Sequence, residues 1–375
     1  MKNIAAAIEF GTSKIVCVIG REKSVGRFEV LGSGEAKYEG IIKGKWQKPA
    51  NIQEAVAKAL HLAEKKAKSR VKDVYVGLPG AFCKVTCADG FVDVKGGTVK
   101  QRDIDNLIKD AQRFSGESKF TVVTRTPVYF VLDDDNHYID VIGNKAKRMR
   151  GKVSFVLARK HFVQNITKML KKLNIDVKAF VPDMLAESLF LVPAGERDIS
   201  SVLINVGYYD TNVTVVYGDA IVYNKTIHVG GMQVANDLAL VMNIDVDLAE
   251  QIKRRYSFGI SGNGEKFYDY AKNKAGKMEK FSHSLVSEII DARIEHLCLL
   301  IGRAFEQCPI AIGRRTRIFL SGGGLAMMRG AKDMLQKYLN RQVRLTSIEA
   351  PQMSTPNYYV ALALIDYVFE TELLS

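Results

Sequence analysis

Apolar and polar positions alternate, or apolar ones run together, in short stretches bounded by glycine at the start of the chain. Ile4–Phe10 and Lys14–Gly20 read as two strands joined by the turn Gly11-Thr12-Ser13, and Phe28–Ser33 continues the meander. The period then lengthens: Ile52, Val56, Leu60 and Ala63 share one face of a helix predicted over Asn51–Lys68. Lys72–Leu78 returns to strand character and stops at Pro79-Gly80.

A different texture follows. Cys83–Val94, Phe120–Leu132 and Gly151–Ala158 read as strands, with turns at Gly96-Gly97 and Asp133–His137. Arg102–Arg113 and Lys160–Leu173 have helical spacing, the latter aligning Phe162, Ile166 and Leu170. A second cycle starts at Ser201, with strands Val202–Val206, Val213–Tyr217 and Ile221–His228. Helices are predicted over Gln233–Met242, Asp247–Arg255, His283–Cys308 and Ala331–Leu339, a flexible loop over Gly259–Gly264, a strand over Ile318–Ser321, and a closing helix over Asn357–Leu374 after Pro356. A strand, Gly/Thr turn, strand unit thus opens both halves, which implies duplication of a whole lobe rather than a short repeat.

Composition narrows the function classes. A chain of 375 residues, 47% hydrophobic, is long enough to split into two lobes. The excess of 54 basic over 41 acidic residues, a formal +13, fits either contact with an acidic partner or ordinary solubilising charge. Nucleic acid is not expected, because basic and aromatic residues are not interleaved as in single-strand platforms. Five cysteines are too few and odd in number for a disulfide framework, and Cys83 and Cys87 have no second ligand pair nearby, so a reducing cytoplasm is expected. Glu9 and Lys14 interrupt the apolar N-terminus too early for a secretory signal, and no apolar stretch reaches the roughly 20 residues that span a bilayer. A soluble or peripheral protein is expected.

Candidate chemistry lies in the glycine turns. Gly11, Thr12 and Ser13 offer bare N–H groups and hydroxyls to phosphate oxygens, with Lys14 beside them, although a plain hairpin has the same sequence. Glu9, being acidic, would serve a hydrated cation instead. The second turn supplies Gly207, Asp210, Thr211 and Asn212, and two such hairpins facing each other would clamp a polyphosphate. Gly322, Gly323 and Gly324 follow a strand and permit close approach to a flat ligand such as adenine. Glu250 and Lys253 share a helix face, either reaching toward a ribose or forming a surface ion pair.

In this order the motifs resemble the FtsA branch of the actin-like proteins over essentially the whole chain. Ile8-Glu-Phe-Gly-Thr-Ser-Lys14 is similar to the family's first phosphate loop, Asn205-Val-Gly-Tyr-Tyr-Asp-Thr211 stands at the second, and Phe319–Ala326 resembles the adenosine motif. His228–Asp237, including Gly231, and Ala249–Lys253 resemble two further family segments, and Asp183 falls at the acidic position of the connecting helix. The insertion near 81–165 sits where FtsA and the pilus protein PilM carry theirs.

The resemblance implies an α/β, actin-like fold of two RNase-H-like lobes around a nucleotide cleft. Residues 1–80, 166–200 and 355–375 would form the first lobe core and 81–165 an inserted α+β subdomain. Residues 201–232 with 284–354 would form the second core, and 233–283 a small subdomain. It also implies ATP with Mg2+, a catalytic role for Asp183, filaments, an FtsZ-like partner and the inner face of the cell membrane at the division site.

Departures from the family pattern qualify this. Asn205 replaces the acid that would help anchor the Mg2+ water shell with Glu9, and Tyr208-Tyr209 stand where glycines are usual. ATP hydrolysis is therefore left open. Phe369–Ser375 is acidic, so an amphipathic C-terminal anchor is not expected. Basic clusters at Lys145, Lys147, Arg148, Arg150 and Lys152, and at Arg314, Arg315 and Arg317, read as lipid contacts or as solvated faces. The expectation is an actin-like division scaffold. The alternatives are an ATPase or small-molecule kinase of the same superfamily, and a PilM-like or pseudo-ATPase scaffold that binds a membrane-protein peptide through the insertion.

Overall fold

The structure is a computed structural model that describes all residues except 1–3, 25, 39, 48, 114–117, 260–267, 349–352 and 373–375. The loop expected at 259–264 and the last residues of the closing helix lie largely outside the described residues.

Ile4–Phe10 pairs antiparallel with Lys14–Ser24, which pairs antiparallel with Arg27–Lys37. On its other side Ile4–Phe10 runs parallel to Asp73–Leu78, itself parallel to Asp176–Pro182. The arrangement recurs in the second half. Ser201–Val206 lies between antiparallel Thr211–Tyr217 and parallel Arg317–Ser321; the first continues to Ala220–Ile227 and the second to Val343–Leu345. Numbered by appearance in its own half, each five-stranded sheet has the order 3-2-1-4-5.

The period-two pattern of the first strand separates two cores. Ala6, Ile8 and Phe10 point to one face, where Val56, Ala59, Leu60 and Ala63 of the helix Pro49–Ala67 cover them. Ala5 and Ala7 point to the other, against Ala361, Leu364, Ile365 and Val368 of the closing helix Tyr359–Glu372. Glycine sets the first spacing, since a Cβ on Gly34 would stand 2.0 Å from the carbonyl of Ala59. A larger residue there would force helix and strand apart. In the second half, the strands pack on the helices Gly231–Met242, Val246–Arg255 and His283–Glu306 through a single large apolar cluster.

The insertion forms a four-stranded sheet in the order Cys83–Asp93, Arg148–Arg159, Phe120–Val131, His137–Tyr138, covered by the helix Gln101–Ala111. Although inserted into the first half of the chain, it leans on the second. Ser154 donates its hydroxyl to the Ile221 carbonyl, Cys87 Sγ lies 3.8 Å from the Val222 carbonyl, and Val128 joins the second core. The edge strand Ala220–Ile227 is thereby covered, which protects backbone groups that would otherwise be open to pairing.

Where the chain enters and leaves the insertion, four aromatic rings gather. Trp46, on the hairpin Ile41–Ile42/Lys45–Trp46, lies 5.7 Å from Phe82, 5.6 Å from Phe162 and 6.1 Å from Phe10 between ring centroids.

Part of the basic cluster on the insertion is internally paired. Arg150 pairs with Asp135 at 2.6 Å and Lys152 with Asp89 at 3.2 Å, while Asp133 accepts the main-chain N–H groups of Lys147 and Arg148. Arg317 is paired with Glu196. All five cysteines are free thiols, and no described helix is long and apolar enough to cross a membrane.

Candidate functional site

In both sheets the carboxyl ends of the parallel strands open toward one crevice, the usual place for a ligand in open α/β sheets. The first turn, Gly11–Ser13, is held from outside. Tyr38 donates its hydroxyl to the Gly11 carbonyl and its N–H to the Ser13 carbonyl, and a Cβ on Gly40 would fall 1.5 Å from the Thr12 oxygen. Lys14 Nζ bonds Glu35 at 2.7 Å and lies 3.8 Å from the centre of the Tyr358 ring; Tyr358 in turn donates to Glu35 at 2.9 Å.

The second turn is joined to two other elements by main-chain bonds. Gly231 N–H donates to the Gly207 carbonyl at 2.9 Å, Met232 N–H to Tyr208 at 2.8 Å, and Gly324 N–H to Val206 at 2.8 Å. Gly322 adopts φ +92°, and a Cβ there would lie 2.3 Å from the Val206 oxygen, so only glycine fits this bend without strain. The second turn, the start of the helix Gly231–Met242 and the loop Gly322–Gly324 therefore form one unit.

Three side chains expected to face phosphate are committed to the fold. Asp210 sits 2.8 Å from His228 Nδ1, Thr211 donates to the Val229 carbonyl at 2.7 Å, and Asn212 accepts from Thr226 at 2.8 Å. Burial pushes the Asp210 carboxyl above its ordinary value, and His228 offsets part of that. Lys253 is buried rather than part of a surface pair: its Nζ donates to the Gly231 carbonyl at 3.0 Å and pairs with Glu250 at 2.6 Å. Burial lowers its pKa, and Glu250 opposes the shift. Across the crevice Tyr209 N–H donates to Thr12 Oγ1 at 3.1 Å, so the turns of the two lobes meet directly, and the Tyr208 and Tyr209 rings stack edge-on beside them. A phosphate entering between the turns would take over that N–H.

Three carboxylates share the crevice floor. Glu9 is the penultimate residue of its strand, Asp183 opens the helix Asp183–Leu191, and Glu187 follows one turn later. Glu187 is 3% exposed; it accepts from Asn205 Nδ2 at 2.7 and 2.8 Å and from Ser321 Oγ at 2.7 Å. Glu9 Oε2 and Asp183 Oδ1 are shielded from solvent without a hydrogen-bond partner among the described residues. Desolvation raises the Glu9 carboxyl from 4.5 to about 7, with Lys14 opposing and Glu187 reinforcing. Desolvation also lifts Glu187 to about 7 against its Asn205 and Ser321 hydrogen bonds. Asp183 is raised well above its ordinary value by burial and then by its two acidic neighbours.

Orphaned buried oxygens beside N–H-rich turns fit a nucleotide whose phosphates carry a divalent cation. No group of three His, Cys, Asp or Glu among the described residues lies close enough to ligate one ion directly, so a cation here would be reached through its water shell. Sequence reasoning missed Glu187; its one signal was a lone acid in the largely apolar run Met184–Leu191.

Comparison with known proteins agrees with this geometry. A family model described as "Cell division protein FtsA" matches residues 202–363. FtsA of Pseudomonas aeruginosa is 24% identical over 341 residues, covering 90% of this chain and 81% of its own. FtsA of Escherichia coli K12 is 23% identical, covering 99% and 92%. Among solved structures, the PilM-PilN type IV pilus biogenesis complex superposes with a TM-score of 0.68 at 16% identity, covering 98% of both chains. MreB5 of Spiroplasma citri bound to ADP gives 0.57 at 12%, covering 99% and 97%. These likenesses establish the actin-like fold of two lobes around a cleft. Along nearly its full length the chain is similar to FtsA cell-division proteins.

Proposed function

We propose that the chain is an actin-like cell-division protein that binds ATP with a hydrated Mg2+ between its lobes, and that nucleotide favours head-to-tail self-association linking an FtsZ-like partner to the membrane. The observation that carries the nucleotide is the carboxylate floor of Glu9, Asp183 and Glu187, two of them with unpartnered oxygens, beneath the turns at Gly11–Ser13 and Gly207–Asp210. Lys14, the N–H groups of both turns and the glycine loop Gly322–Gly324 would hold phosphates and base. A bound nucleotide touches both lobes, so it biases the equilibrium between open and closed arrangements and thereby any contact made only by the closed one.

Hydrolysis needs a positioned water and an acid or amide to orient it. Asp183 would take that role, but burial and its acidic neighbours push its carboxyl well above its ordinary value, which disfavours the charged form, and Tyr208 and Tyr209 crowd the turn. The reading is therefore a nucleotide-gated scaffold with slow turnover. Calorimetry of ATP with Mg2+, alongside sedimentation with and without nucleotide, tests it. Micromolar binding with ATP-dependent pelleting is expected; no heat and no pelleting in either condition would sink it.

A second reading has its own observation. The closely superposing PilM structure is a complex with PilN, and the insertion here carries an open groove of about 670 Å3 lined by Phe91, Leu132, Asp133, Arg148, Met149 and Arg150. A peptide with an apolar anchor and acidic flanks would suit it. Pelleting that needs such a peptide, and not ATP, would favour this scaffold reading.

A further inference from the structure

Glu9 and Asn205 occupy equivalent places in the duplicated architecture. Each is the penultimate residue of the first strand of its five-stranded sheet, immediately before the turn that faces the cleft. The first lobe has an acid there and the second has an amide. The carboxylate nearest to that amide comes from the other side: Glu187 reaches from the helix Asp183–Leu191 to the second sheet. There Asn205 Nδ2 donates to both of its oxygens and Ser321, paired with Asn205 in register, donates to one of them.

The two residues require each other. An aspartate at 205 would place carboxylate oxygens against those of Glu187 at hydrogen-bonding distance, where two negative charges cannot both persist. Conversely, a buried carboxylate is costly when only neutral donors hold it. Among the described residues, the hydrogen bonds that Glu187 accepts come from an amide and a hydroxyl, not from an arginine or lysine. If its role were only to tie the helix to the sheet, a glutamine would do so without that cost. A buried acid facing two other acids gains its purpose from a cation that arrives with the ligand.

We propose that Glu187 supplies, from the connecting helix, the carboxylate that the second phosphate turn lacks at Asn205, and that Asn205 is the residue positioning it toward the water shell of a nucleotide-bound divalent cation. The cleft thus holds three carboxylates, one on the first strand and two on the helix Asp183–Leu191, with an amide at the equivalent place of the second lobe. This inference rests on the nucleotide reading above.

The test is calorimetry of ATP on the full chain, with Mg2+ and with EDTA, for wild type, Glu187→Gln, and the exchange variant Glu187→Gln/Asn205→Asp. Mg2+ is expected to tighten ATP binding by wild type. Glu187→Gln is expected to lose about tenfold or more of that enhancement, the usual cost of removing an outer-shell partner, with little change in EDTA. The exchange variant, which returns the acid to the strand, is expected to regain it. A cooperatively melting Glu187→Gln protein with the full wild-type enhancement overturns the proposal. If that variant does not fold, the exchange variant decides: enhancement retained supports the proposal and enhancement lost overturns it. Wild-type binding that is equally tight in Mg2+ and EDTA overturns this proposal and the Mg2+ part of the reading above but leaves the nucleotide, whereas no wild-type binding in either condition removes the nucleotide reading and this proposal together.

Discussion

Raising the pH from 5 to 8 should weaken the fold through the crevice floor, and Glu187→Gln should remove a defined share of that loss. The Glu187 carboxyl stands at about 7 in the native protein against 4.5 for the free group, because burial disfavours its charge. Below pH 4.5 both native and unfolded states hold the proton and the group contributes nothing to the pH dependence. Between 4.5 and 7 the unfolded chain has lost its proton while the native protein keeps it, so stability falls as pH rises, and above 7 the loss is complete. The gap from 4.5 to about 7 corresponds to about 3 kcal/mol. Glutamine imitates the protonated acid and still accepts from Ser321 and Asn205, so it should lie within about 1 kcal/mol of wild type near pH 5 and exceed it near pH 8 by about 3 kcal/mol. Asp366, lifted to about 7 by burial, steepens the profile of both proteins equally, so the difference between them reports Glu187 together with its coupling to Glu9 and Asp183. Urea unfolding at fixed ionic strength across this range measures it. Profiles that run parallel from pH 5 to 8 would falsify the account of Glu187 as a desolvated acid.

Three further outcomes follow from the geometry. Gly322→Ala would put a side chain at φ +92° and 2.3 Å from the Val206 oxygen, so thermal melting should show a loss of about 1–3 kcal/mol, and calorimetry a loss of ATP binding. Lys253→Ala leaves Glu250 and the Gly231 carbonyl without their buried partner and should cost about 3 kcal/mol in urea, with unchanged stability marking the pair as incidental. Lys14→Ala removes a partly exposed ion pair and should alter stability by less than about 1 kcal/mol. It should nonetheless weaken ATP binding about tenfold, which equal affinities would contradict.

The elements of both sheets were legible because their period is short and their ends carry glycine or proline. Ile4–Phe10 and Val202–Val206 were read almost to the residue, and the duplicated Gly/Thr turns announced two related halves. The strand expected at Phe28–Ser33 runs further, over Arg27–Lys37, because Gly32 and Gly34 hide its alternation while letting a helix approach. What stayed hidden depends on contacts between segments far apart in the chain. Nothing in the run around Glu187 shows that Asn205 and Ser321 lie at its tip. The spacing of Glu250 and Lys253 does not reveal that the lysine is buried under Gly231. Asp210 looks like a phosphate-site acid until His228 is seen beside it. Periodicity reports which face of an element is apolar; it does not report which other element covers that face.

The ring cluster at the root of the insertion bears on how the molecule transmits movement. Phe82 lies where the chain leaves the first sheet for the insertion, Phe162 where it returns, and Phe10 is the last residue before the turn Gly11–Ser13; all three rest on Trp46. A swing of the insertion must therefore shear a contact that also seats Phe10, so the orientation of an outlying subdomain and the shape of the turn are mechanically geared to each other. Since Trp46 is the chain's one tryptophan, its emission is an intrinsic optical gauge of that gearing, available without any label.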